Sequence, residues 1–185
     1  MRWPIAILAV CCALAQTVSG PQTVNPGAAI LKDFDRRVAD YAKLHKAAAS
    51  GVHRLKPTKS SEAIADYTHS LARGIRAARR ESRQGDIFTP DIAAEFGRLI
   101  GLTMHGPEAA AIRESLRHAE PLAPRAIRVN GAYPPGVPLQ STPPTLLMNL
   151  PPLPPELDYR VIGHALILRD IEANLIVDFI PEAIT

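Results

Sequence analysis

Cysteine is almost missing from this chain. Its two thiols, Cys11 and Cys12, are adjacent near the start, and its one tryptophan is Trp3. Long apolar runs are missing too. The longest, Trp3 to Leu14, covers about 12 residues, short of the roughly 20 that a bilayer-spanning helix needs. Excess charge of one sign is a third absence. The formal net charge is +3 in 185 residues, too small to argue for a nucleic-acid partner.

The motif vocabulary of catalysis is equally thin. The six histidines (His45, His53, His69, His105, His118 and His164) include no i, i+4 pair, and no His-Glu-x-x-His occurs. Neither a Gly-x-Ser-x-Gly elbow nor a convincing Ser-x-x-Lys nucleophile is present. No metal site and no cofactor are expected.

What is present begins with the first fifteen residues. Arg2, the apolar run and the Ala13-Leu14-Ala15 ending form the pattern of a secretory signal peptide. Cleavage after Ala15 takes fifteen residues from 185 and leaves 170, and losing Arg2 takes the charge from +3 to +2. That remainder holds no cysteine, so it can form neither a disulfide nor a thiolate zinc site, and its stability must come from packing. Periplasmic or extracellular localisation is the expectation.

The rest divides by composition. Residues 16–26 read as a flexible lead and residues 27–118 as an alanine-rich helical region. Residues 119–156 hold eleven of the eighteen prolines and form a crossover; residues 157–185 are rich in leucine and β-branched residues. In the helical region, Leu31, Phe34, Val38 and Tyr41 recur at spacings of three and four, predicting a helix from Gly27 to Ala49 with Gly51 beyond its end. A second helix starts at Ser60 or Ser61. Ile64, Leu71, Ile75 and Ala78 lie within about 40° of one direction on it, and Arg73, Arg76, Arg80 and Arg83 lie opposite. Phe88-Thr89-Pro90-Asp91 is a capped helix start, with Ile92, Phe96, Leu99 and Ile100 as the apolar face. Gly106-Pro107-Glu108 opens a fourth helix that turns Ile112 and Leu116 inward.

Proline then excludes long helices and central strands. Arg125 to Val129 reads as a short strand before the Asn130-Gly131 turn, Thr142-Pro143-Pro144 as one or two helical turns, and Leu150 to Pro155 as polyproline II. Three strands follow: Tyr159 to Ile162, Ala165 to Arg169, and Leu175 to Ile180. Val161, Leu166, Leu168, Leu175, Val177 and Phe179 are the expected buried face. The fold class is therefore α+β: four amphipathic helices, a proline-rich segment and an antiparallel meander packed on the helices, in one domain.

Gln84-Gly-Asp-Ile-Phe-Thr-Pro-Asp91, and Leu153-Pro-Pro-Glu-Leu-Asp-Tyr-Arg160 through Asn174-Leu-Ile-Val-Asp-Phe-Ile-Pro181, resemble a family of uncharacterised exported bacterial proteins. The resemblance implies export and a common fold, and brings no activity or catalytic residue. More distantly, the terminal hairpin is similar to that of periplasmic nickel/cobalt-homeostasis regulators. That likeness covers about 30 residues and carries no metal ligand.

Two groups of side chains remain as candidate sites. Arg73, Arg76, Arg80 and Arg83 form a stripe able to bind an anion, lipid headgroups or an acidic partner. Asp170, Glu172 and Asp178 are the nearest approach to a carboxylate cluster, suited to acid–base work or a hard cation. Their plainer reading is turn chemistry at Asp170 and Asn174, with Asp178 as a charge on an exposed strand face that can meet Arg169 across the hairpin. The basic middle and the acidic end are also free to attract each other. The expected function is that of a non-enzymatic exported envelope protein acting through protein contacts or self-association, with peripheral membrane contact in reach. The alternatives are a secreted hydrolase using acids of the terminal sheet and a periplasmic module that binds an anion or metal.

Overall fold

The computed structural model describes residues 25–117, 127–134, 143, 146 and 148–184. The expected signal peptide, the expected lead as far as residue 24, His118, Arg125 and Thr142 lie outside the described residues, as does the side chain of Leu116. Among the described residues, four helices precede three strands: α1 (Pro26–Ser50), α2 (Ser61–Ala78), α3 (Pro90–Met104), α4 (Ala109–Arg117), β1 (Leu157–Ile162), β2 (Ala165–Asp170) and β3 (Leu175–Ile180). No helix among them is long and apolar enough to cross a membrane.

Local chemistry accounts for the helix starts. The Asn25 side chain accepts from the Gly27 amide, with Pro26 in the first turn. Ser60 caps α2 through the Ala63 amide, and Thr89 caps α3 ahead of Pro90 and Asp91. The apolar stripe of α1 buries Phe34, Val38 and Tyr41 and continues into His45. On α2 the buried residues are Leu71, Ala72 and Ile75. Ile64 and Ala78, expected on that face, are exposed. The first turns of α2 border an open cleft through Ala63, Asp66 and Tyr67, and Ile64 keeps 45% of its surface exposed.

The sheet order is β1-β2-β3, antiparallel throughout, with Gly163 at positive φ in the first turn. One face packs on the helices. Leu157, Tyr159, Val161, Leu166, Leu168, Leu175 and Val177 share a core with Phe34, Leu71, Ile75 and Phe96. At its centre Phe96 lies edge-on to Phe34 and Phe88, with centroids 4.9 and 5.2 Å away. The other face is covered as well. Tyr133 packs there with Ile162, Ala165, Ile167 and Ile176, and Phe179 and Ile127 join them. Phe179 was expected on the helix-facing side.

A bulge explains that change. Leu168 pairs with Asp178 and Arg169 with Ile176, so Val177 is an extra residue on β3. Alternation restarts after it, and Asp178 joins Val177 on the helix-facing side while Phe179 turns away. Of the strand expected at Arg125 to Val129, the described residues 127–129 form none. Pairing comes at the turn and just beyond it instead, where Asn130 donates to the Ile176 carbonyl of β3 and Tyr133 to that of Asn174, just before β3. The Asn130-Gly131 turn thereby covers part of the free β3 edge.

Candidate functional site

Asp170 ends β2 and is fully buried. A carboxylate without water must be matched by donors, and three are supplied. The Ala173 amide donates to Oδ1 at 2.8 Å, which closes the β2–β3 turn. The Tyr41 hydroxyl donates to Oδ2 at 2.8 Å, and His45 Nδ1 lies 2.6 Å from the same oxygen. Burial, then the Asp170 charge, push the Tyr41 phenol far above its ordinary range, so it remains a neutral donor. The Asp170 hydrogen bond holds His45 above the usual imidazole range despite the opposing effect of burial. Its other nitrogen, Nε2, faces Glu172 at 3.6 Å, and Glu172 accepts from the Tyr67 hydroxyl at 3.0 Å. Thus α1, α2 and the β2–β3 turn meet in one acid–imidazole–phenol network.

Asp178 does a separate job. Its carboxylate, fully buried, accepts from the amides of Gly85, Ile87 and Phe88 at 3.0, 2.8 and 2.8 Å. This corrects the reading of Asp178 as an exposed strand charge and as a partner of Arg169. The bulge points it at the α2–α3 connection, where it satisfies two buried amides and the half-buried amide of Gly85. Arg169 instead donates to Asp158 from Nε and Nη2 and stacks over Tyr133, its Cζ 5.1 Å from the ring centroid. The three acids therefore do not converge: Asp170 and Glu172 share one network, and Asp178 holds a loop.

The arginine stripe also divides, because α2 ends at Ala78 and Arg80 and Arg83, expected on its face, lie in the connection beyond it. Arg76 Nε donates to the Asn130 carbonyl at 2.9 Å. Arg79, outside the expected stripe, is buried over the Tyr41 ring and donates to Asn130 Oδ1 and the Val177 carbonyl. Arg73, Arg80 and Arg83 are exposed. Among the described residues none of those three guanidinium groups has a carboxylate within ion-pair distance. The basic middle does meet the acidic end, but through carbonyls, amides and one buried carboxylate rather than through ion pairs.

Beside the Asp170 network, the loop from Gly51 to Thr58 and the first half of α2 enclose an open cleft of about 650 Å³. Tyr67 forms part of its wall. Among the described residues no group of three or more histidine, cysteine or acidic side chains is arranged to hold a metal ion.

Sequence reasoning missed His45, Tyr41 and Tyr67 as members of the network. A signal for His45 exists: it follows Phe34, Val38 and Tyr41 at the next four-residue step, and an imidazole on a core stripe needs a buried partner. Nothing local marks Asp170 as that partner. Comparison of the chain with protein-family models, curated proteins and solved structures gives no match.

Proposed function

We propose that this chain is an exported, non-enzymatic protein that works by contact with an acidic protein partner, through exposed arginines of α2 and of the connection that follows it. The observation that carries the reading is the division among the arginines of α2 and of the connection that follows it after Ala78. Arg76 and Arg79 serve the fold, whereas Arg73, Arg80 and Arg83 stand exposed with no carboxylate partner among the described residues. Exposed guanidinium groups add little to stability, but they steer acidic partners and form bidentate bonds to carboxylates. Export rests on the leader pattern and on the family resemblance. The hydrolase alternative has less support, because Asp170 and Asp178 are each occupied by internal donors and neither lines the cleft.

The test is a crosslinked pull-down from the native envelope with the tagged wild type and the Arg80→Glu/Arg83→Glu variant. A partner captured by the wild type, released by salt and lost by the variant supports the reading. The same proteins recovered at the same yield with both baits overturn it, as does an empty wild-type capture.

A further inference from the structure

The cleft between the α1–α2 loop and α2 has a chemistry of its own and shares only Arg73 with the contact just proposed. Its volume of about 650 Å³ falls in the range of small-ligand sites, roughly 300–1,000 Å³. The loop brings Arg54 and Lys56 to one side, and α2 brings Arg73 to the other. Among the described residues none of these three cations has a carboxylate within ion-pair distance. Arg73 donates from Nη2 to Ser70 Oγ, which lines the same cleft. Asp66 is the only carboxylate in the lining, so cationic groups outnumber acids there even with His53 neutral. Val52, Leu55 and the ring of Tyr67 supply the apolar wall.

The position of Tyr67 is set from behind. Its hydroxyl is held by Glu172, which also faces His45 Nε2, so the ring is tied to the buried network rather than free to swing. Gly74 brings α2 against α1: a Cβ there would lie 3.4 Å from that of Ala48. The helices are therefore fixed together at one end of the cleft. The loop, with Pro57 in it, spans the other.

We infer that this cleft binds a small organic anion, with a phosphate or carboxylate held between Arg54 and Arg73 and an apolar or aromatic body against Tyr67, Val52 and Leu55. Two guanidinium groups on opposite walls can grip one anionic head, and a half-buried tyrosine lining the cleft can pack on a flat body. The apolar wall makes the body, not the charge alone, part of recognition.

The experiment is a titration of the purified full-length chain followed by amide chemical shifts. The probes are phenyl phosphate and benzoate, with inorganic phosphate and phenol as half-ligand controls. Saturable shifts confined to residues 51–73, with at least one aryl anion binding about tenfold tighter than either half-ligand, support the inference. The Arg54→Ala/Arg73→Ala variant alters two exposed side chains and keeps the fold, which its melting temperature verifies. It should weaken that binding about tenfold or more. No saturable shifts up to about 10 mM in either aryl anion, a weak-binding limit beyond about −3 kcal/mol, would overturn the inference. So would shifts mapping elsewhere, or equal affinity in the double variant. Aryl-anion binding is read on the purified chain and should persist in Arg80→Glu/Arg83→Glu, so its loss is distinguishable from failure of the acidic-partner contact.

Discussion

His45 Nδ1 lies 2.6 Å from Asp170 Oδ2, joining the later part of α1 to the end of β2 across 125 residues of sequence. Both groups are buried. The contact makes the packing of helix on sheet depend on a proton, because an ionised Asp170 requires His45 to donate from Nδ1 and a charged imidazole adds attraction to Asp170 and Glu172.

The direction of the resulting pH dependence is determined. His45 binds its proton more tightly folded than unfolded, chiefly through the Asp170 hydrogen bond. Its contribution is therefore complete below about pH 6.5, the ordinary imidazole value, and declines as pH rises through the folded value above it. Melting temperatures measured from pH 6 to 9 should fall with rising pH in the wild type and fall less in His45→Gln. Equal slopes for the two proteins would refute the assignment. Replacing His45 by alanine should cost about 2–4 kcal/mol, since Asp170 then loses a buried donor.

Asp178 offers a second, independent test. Alanine at this position leaves the buried amides of Ile87 and Phe88, and the half-buried amide of Gly85, without this acceptor. At about 1–3 kcal/mol for each orphaned group, the loss should exceed about 3 kcal/mol in chemical denaturation. The Asp178→Asn variant retains one acceptor oxygen and should lose less. Hydrogen exchange should accelerate at residues 85–88 before it does at the strand amides. Unchanged stability in Asp178→Ala would show that the loop is held by other contacts.

Glycines at two sites should respond oppositely to alanine. At Gly131 a Cβ would fall 2.7 Å from Arg128 Cγ and 2.8 Å from the Arg128 carbonyl oxygen. Gly131→Ala should destabilise by about 1–3 kcal/mol and loosen the pairing of residues 130–133 on β3. At Gly97, inside α3, an added Cβ meets nothing within 4 Å among the described residues. There alanine should stabilise by about 0.5–1 kcal/mol through helix propensity alone. Thermal melts of both variants check the pair, and a shift of the same sign in each would contradict the geometry.

Much of the architecture was legible because its causes are local. Thr89-Pro90-Asp91 sets a helix start through donors within one turn, and Leu175 to Ile180 follows a strand pattern whoever its neighbours are. The alternation rule failed at one point, Val177, where an extra residue in β3 reversed the facing of Asp178 and Phe179. No composition cue marks such a bulge, because it arises from the register against β2. The Asn130-Gly131 turn was visible as a turn. That Ala132, rather than the residues before the turn, would bridge to β3 was not.

By itself the sequence determined the four helices, the three-strand meander, the caps of α2 and α3, and a chain that is thiol-free beyond Cys12. These follow from spacing and composition, which depend on residues a few positions apart. Only the tertiary structure decided which charged groups became internal. Arg79 was buried against Tyr41 while Arg80 stayed in solvent, and Asp170 found His45 while Asp178 found a loop. Burial of a charge depends on donors arriving from distant segments at fitting distances, and that meeting is set by strand register and helix docking, which no local pattern encodes.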